Sequence, residues 1–317
     1  MRKHMPLLLC VALLLTGCSA SKPASGNSAA DSGKEKQETT TEITTTTAPP
    51  PTEHVLVTLG DSISAGYGLA DAPTQRYSAL LAGKLTDRDG IEWQDCNYAV
   101  SGDDSKDLIK RLQNGKALRL PSADAIVICI GGNNLLGPYE NYLMNAAGAM
   151  QLSPDGLTSD LIGELTGVLE KNRQAAEKLK TDLEEGFTNL ENDIVAVYDW
   201  IRERNADAPI YLLNVYNPYG GVKLENPIDT EQSFGNYSSD LMGRLNGILS
   251  DFAAQHSDVI PVDIASAFAA RDPIPIIGNI NDYSVTSGTL INVDPHPNPE
   301  GQRLIAETVW KAMNPAS

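Results

Sequence analysis

Ser62 stands just past an aliphatic run, Val55-Leu56-Val57-Thr58-Leu59, within Gly60-Asp61-Ser62-Ile63-Ser64-Ala65-Gly66. The carboxyl end of a buried strand is where open α/β sheets bind ligands, so this hydroxyl is a candidate nucleophile. Taken alone, the same serine could simply cap a following helix. Gly66-Tyr67-Gly68 begins like a dinucleotide-binding turn, but Asp71 occupies the position of the third glycine and no nearby segment fits a P-loop. The Gly-x-Ser-x-Gly elbow is also missing, because Ser64 and Ala65 follow Ile63.

Three other segments give Ser62 company. Tyr98-Ala99-Val100-Ser101-Gly102 and Gly131-Gly132-Asn133-Asn134 each follow a strand-like run, and Asp294-Pro295-His296-Pro297-Asn298 precedes a helical pattern. Acyl transfer needs a nucleophile, a base that takes its proton, and donors aimed at the developing oxyanion. Ser62, His296, and the Gly102 and Asn133 groups supply all three. The other two histidines beyond the leader have plain explanations: His54 lies at a segment junction, and His256 ends a helical pattern, where the helix dipole favours it. No histidine pair, cysteine pair or calcium-loop spacing suggests a metal, and nothing singles out two carboxylates for glycoside hydrolysis. Neither a metal nor another cofactor is expected.

For these segments to meet, the chain must alternate buried strands with helices. Apolar runs predict five strands, at 55–59, 91–98, 125–130, 209–215 and 259–263, with helical periodicity near 73–86, 104–113, 156–204, 237–255 and 299–313. Within 156–204 the leucines at 157, 161, 165 and 169 are followed by Leu179, Leu183, Leu190, Ile194, Val197 and Ile201, and Gly186 predicts a break. A pair of helices packed on the sheet is expected there, with a lid or a partner surface as the alternative. No fixed-period repeat is visible, and residues 54–317 are expected to form one domain.

The amino terminus reads as an address. Arg2 and Lys3, an apolar run from Pro6 to Leu15, and Leu15-Thr16-Gly17 before Cys18 make a signal peptide over 1–17, too short to span a bilayer. Leu15-Thr16-Gly17-Cys18 resembles a bacterial lipobox, which implies lipidation of Cys18 and an extracytoplasmic protein held at a membrane. Residues 18–53 form a Ser-, Thr- and Pro-rich tether with Ile43 its only large aliphatic side chain, too polar to fold. Loss of Arg2 and Lys3 with the leader, and of no acidic residue, takes the formal charge from −17 to −19. Such a charge argues against nucleic acid and against docking on anionic lipid. Cys96 and Cys129 then remain; they fall in strands expected to flank the first strand, too far apart for a disulfide, and both are expected as buried thiols. A monomer is expected.

From Val55 to Val309 the four blocks around Ser62, Gly102, Asn133 and His296 resemble, in order, those of the SGNH or GDSL hydrolase family. Tyr216-Asn217-Pro218-Tyr219 and Val262-Asp263 are similar to further family positions. The resemblance implies a three-layer α/β/α sandwich, flavodoxin-like, with a five-stranded parallel sheet of order 2-1-3-4-5. It implies Ser62 as nucleophile, His296 as base, an oxyanion hole from the Ser62 and Gly102 N–H groups with the Asn133 amide, and Asp61 holding the turn. Two positions depart from the pattern. Val293 stands where the family has Asp, three before the histidine, so either Asp294 or a backbone carbonyl orients His296; and Asn134 replaces an Asp. The implied substrate is an ester of a carbohydrate, a lipid or a small alcohol. Transfer of the acyl group to a glycan hydroxyl and an inactive binding module are the alternatives. Loops at 135–155, 217–236 and 264–293 are expected to line the cleft, where Leu135, Leu136, Tyr139, Tyr142, Tyr219, Phe234 and Tyr283 form an acyl pocket or a sugar platform.

Overall fold

Residues 55–60 are all buried, with no alternation between faces, as a strand covered on both sides by helices requires. This strand, β1 (Glu53–Gly60), is central in a sheet whose other members are β2 (Glu92–Asn97), β3 (Ala125–Cys129), β4 (Ile210–Leu213) and β5 (Val259–Val262). The computed structural model describes residues 53–146, 173–221, 232–278 and 294–315. The expected leader and nearly all of the tether, the leucines at 157–169 and Tyr283 lie outside the described residues. Within them the sheet has five strands, all parallel, in the order β2-β1-β3-β4-β5. This is the expected architecture. β4 ends two residues early because the Asn246 side chain takes over both backbone groups of Val215, at 2.8 Å each.

Helices α1 (Ser62–Ala65), α2 (Ala72–Gln75) and α3 (Tyr77–Asp89) follow β1, and α4 (Ser105–Gln113) follows β2. Then come α5 (Gly132–Ala146) and α6 (Arg173–Arg202) after β3, α7 (Phe234–Gln255) after β4, and α8 (Ile264–Ala269) and α9 (Pro299–Met313) after β5. The first crossover runs outward from β1 to β2 and every later one runs the other way. Right-handed connections therefore put α3 on one face and α4 to α7 on the other. Accordingly α9 packs on α3 and α8, whereas α4, α5 and α7 pack on α6. The reversal leaves a crevice at the carboxyl ends of β1 and β3.

Several sequence expectations need correction, among them the 264–293 loop, whose first residues form α8. The helix near 73–86 is two helices, because Arg76 is extended (ψ 151°) and its guanidinium reaches back to Asp95 at 2.8 Å. Residues 135–146, expected in a loop, are helical; Gly137 and Pro138 are poor helix formers, and packing against α6 overrides them. Gly186 does not break α6. A Cβ there would stand 2.2 Å from the Asn134 carbonyl oxygen, so the glycine lets α6 lie against the start of α5. Asn134 fastens that contact: buried, it donates to the Gly186 carbonyl (3.2 Å) and to Ser105 Oγ (2.8 Å), and it accepts the Ser105 N–H (3.1 Å). An Asp at 134 could not donate to that carbonyl. Cys96 and Cys129 are free thiols on strands either side of β1; Cys129 is buried, but Cys96, on the edge strand, is only half-buried.

The turn out of β1 carries a buried charge. Asp61 is 2% exposed, and its Oδ1 accepts the Ile63 N–H at 2.9 Å, capping α1 and holding the turn as expected. Burial raises its pKa from 3.8 to about 6, opposed by the Ile63 N–H and the charge of nearby His296.

Two stability experiments follow. Gly186→Ala should lower unfolding free energy by about 1–3 kcal/mol or more through overpacking against backbone. Gly243→Ala, where an added Cβ meets nothing within 4 Å, should raise it by about 0.5–1 kcal/mol in the same urea titration. For Asp61, both folded and unfolded states are protonated below the unfolded pKa, so no penalty exists there; it grows as pH rises to the folded value near 6. Asp61→Asn should therefore leave stability at pH 4 nearly unchanged and increase it at pH 7.5, by on the order of 2–3 kcal/mol. Equal gains at the two pH values would contradict the buried charge.

Candidate active site

Gly60 closes β1 with φ 144°, and a Cβ on it would lie 2.1 Å from the Cys129 carbonyl oxygen of β3. Only glycine passes this point, and the chain turns at once so that the Asp61 N–H bonds that same oxygen at 3.3 Å. Ser62 begins α1 directly afterwards and is half-buried. The turn is braced from behind by Gln302 of α9, fully buried, whose amide donates to the Ile63 carbonyl (3.1 Å) and accepts the Tyr77 N–H (2.8 Å). Ser64 and Tyr77 join their hydroxyls at 2.8 Å in the same layer. Gln302 was not legible as a site residue; its only signal is a polar side chain inside the apolar pattern of α9.

Gly102 lies in a turn closed by the Asp103 N–H on the Val100 carbonyl (3.2 Å), with φ 88° as the third residue of a type II turn requires. The turn is tied to the nucleophile through the Val100 N–H, which bonds the Gly60 carbonyl at 3.0 Å. Gly102 itself is exposed and is not among the residues lining the cavity beside Ser62. Asn133, the second residue of α5, does line it. One Nδ2 hydrogen of Asn133 is spent on the Asp103 carbonyl at 2.8 Å, which fixes the amide plane and leaves the other hydrogen for a ligand. Asp103 is held in turn by Arg111, through Nη2 at 2.8 Å.

His296 reaches the same cavity from the segment before α9. Its Nδ1 lies 2.6 Å from Asp294 Oδ1, and that oxygen also accepts the His296 backbone N–H at 2.9 Å. Such an Asx turn explains how a carboxylate only two residues away reaches the ring: the backbone curls so that one oxygen serves both nitrogens. Between these alternatives, the partner at Nδ1 is Asp294 and not a backbone carbonyl. The loop is pinned on three sides. Ile277 N–H bonds the His296 carbonyl and Gly278 N–H the Asp294 carbonyl, both at 2.8 Å, and Tyr216 Oη donates to the Pro295 carbonyl at 2.6 Å. Tyr67 covers one side of the imidazole, with ring centroids 4.5 Å apart at 43°. In the sequence Tyr67 drew notice only as part of a glycine pair, and nothing there pointed to a contact with His296.

Ser62, Asn133 and His296 thus face one cleft, with about 830 Å³ of space partly open to solvent. Beyond these residues its walls are mostly apolar, from Leu135, Leu136 and Tyr139 of α5 to Phe234, Leu241 and Met242 of α7. Tyr142 is buried but is not among the lining residues. Among the described residues no group of three or more His, Cys, Asp or Glu could hold a metal ion, and no helix is long and apolar enough to cross a membrane.

Comparison with known proteins agrees with the fold. Solved structures of similar fold include the lipase Lip_vut3 from a goat rumen metagenome (18% identity, TM-score 0.57, covering 82% of this chain and 97% of that one). Others are an extracellular lipase from Streptomyces rimosus (19%, 0.53, 83% and 100%) and phospholipase A1 from Streptomyces albidoflavus NA297 (18%, 0.53, 84% and 100%). At such identities the likeness speaks for the fold alone. No curated protein matches the chain significantly in sequence. The model of the GDSL-like lipase/acylhydrolase family matches residues 58–304, from inside β1 to the second turn of α9, and the chain belongs to that family.

Proposed function

We propose that the protein is an extracytoplasmic serine ester hydrolase that works through an acyl-Ser62 intermediate. The observation that carries this reading is the shared cleft: a strand-end serine, a histidine bonded to a carboxylate, and an anchored amide all face it. With Nδ1 taken by Asp294, the Nε2 atom is the one left to accept the Ser62 proton. Ser62 Oγ then attacks the ester carbonyl. The free hydrogen of the Asn133 amide and the Ser62 N–H stabilise the oxyanion, with the Gly102 N–H as the third donor that the family resemblance implies, each donor lowering the barrier by about 2.7–4 kcal/mol. His296, now an imidazolium facing the Asp294 carboxylate and the Tyr67 ring, gives its proton to the leaving alcohol. Water, activated by the same nitrogen, releases the acid and restores Ser62.

Residues 1–17 act as a signal peptide and Cys18 as the lipidated first residue of the mature chain. The basic start, short apolar run and small residues before Cys18 support this. Acyl chains on Cys18, at about 0.8 kcal/mol per buried methylene, would hold the protein at a membrane, with residues 19–53 as a spacer.

Two experiments test the reading. Hydrolysis of a chromogenic acetyl ester should be abolished in Ser62→Ala and reduced about 10²–10⁴-fold in kcat by Asp294→Asn, which leaves the histidine in place but removes the charge facing it. Wild-type rates for Ser62→Ala would end the proposal. In a bacterial host, Cys18→Ala should move the protein from the membrane fraction to the soluble fraction; a variant that stays with the membrane would remove the anchor.

A further inference from the structure

We propose that the cleft beside Ser62 is an acyl-chain site of fixed length, closed by Tyr139, Tyr219 and Phe234, and that the substrates are esters of medium-length straight-chain acids. This inference rests on the reading of Ser62 as nucleophile and names the substrate class of that site.

The wall begins at the chemistry and leads away from it. Asn133 and Tyr139 sit on the same helix, α5, and both line the cleft; six residues at 1.5 Å of rise separate them by about 9 Å. An extended chain advances about 1.2 Å per bond, so this distance holds about six to eight carbons. The opposite wall is one face of α7, where Phe234, Ser238 and Leu241 recur at helical spacing. At the far end three rings meet. Phe234 stands edge-on to Tyr139, with centroids 6.3 Å apart at 86°, and tilted against Tyr219 at 5.8 Å. All three are buried, whereas Ser62 is half-buried, and they stand at the end of this wall away from Asn133.

Three polar side chains along these walls, Ser238, Asn217 and Tyr216, are already committed within the protein. Ser238 Oγ donates to the Gly235 carbonyl (2.9 Å) and accepts from Asn217 Nδ2 (3.1 Å). Asn217 Oδ1 takes the Tyr219 N–H at 2.9 Å, and Tyr216 Oη is held by the Pro295 carbonyl. A sugar ring in this space would lose its hydration without gaining these partners, at a cost of about 1–3 kcal/mol per unpaired hydroxyl. An alkyl chain loses nothing, and each methylene buried contributes about 0.8 kcal/mol, or about fourfold in kcat/KM. Of the two readings open in the sequence, acyl pocket or sugar platform, the walls favour the first.

The test is kcat/KM of the full chain on p-nitrophenyl esters from acetyl to palmitoyl. The value should climb steeply from acetyl to a maximum between hexanoyl and octanoyl, then drop at least tenfold by palmitoyl. Phe234→Ala should move the maximum at least two carbons longer. Leu241→Trp, at a half-buried position that tolerates a larger ring, should move it shorter by lowering the octanoyl-to-acetyl ratio at least tenfold. The second variant decides the matter if the first fails to fold. A flat wild-type profile, a maximum at palmitoyl, or an unchanged ratio in Leu241→Trp would overturn the proposal. So would acetyl esters whose rates climb instead with the length of the alcohol, since the cleft would then hold the leaving group. These failures leave the Ser62 reading standing, whereas inertness towards every ester would sink that reading itself.

Discussion

The approach of β1 to β3 at Gly60 is the contact on which the rest of the site depends. Sheet geometry brings the Cys129 carbonyl so near the Gly60 α-carbon that no side chain fits between them. The chain therefore leaves the sheet in one sharp turn, and the next two residues are Asp61 and Ser62. On the neighbouring strand the same crevice releases Gly131, Gly132 and Asn133 into the start of α5. Nucleophile and amide are thus set by the spacing of two adjacent parallel strands. The histidine comes from farther away, and its loop is held by main-chain bonds to Ile277 and Gly278 and by Tyr216.

Around this point the protein spends buried polar groups freely. Gln302, Asn134 and Ser64 are each less than 5% exposed and each bonded, and together they brace the turn from α9, the start of α5 from α6, and α1 from α3. Satisfied polar contacts of this kind contribute modestly to stability, but leaving one unmade is costly, so they fix one arrangement of the loops over others. Asp61 is the exception that stores a penalty, because its carboxylate is carried into the interior at neutral pH.

Much of this was legible in the chain. The central strands β1, β3 and β4 read clearly because doubly covered parallel strands are continuous apolar runs, and the candidate residues could be found because each follows a strand or precedes the last helix. What escaped was set by tertiary contact. Helix α5 carries Gly137 and Pro138, which locally argue for a loop, and it forms because α6 covers it. Gly186 reads as a breaker in isolation, yet it is there for the Asn134 carbonyl. Asp294 looked misplaced by one residue until its Asx turn was seen, and Tyr67 and Gln302 carry no local mark of their packing against His296 and the Ser62 turn.

The central claim is that Ser62 is a nucleophile made reactive by the folded arrangement around it. A serine-directed fluorophosphonate reports this directly, because it modifies only an activated hydroxyl. Peptide mass mapping of the native protein should show one phosphonyl adduct, on Ser62, absent when the protein is unfolded before labelling and absent in His296→Ala. Native protein that takes up no label, or takes it up on another serine, would contradict the account.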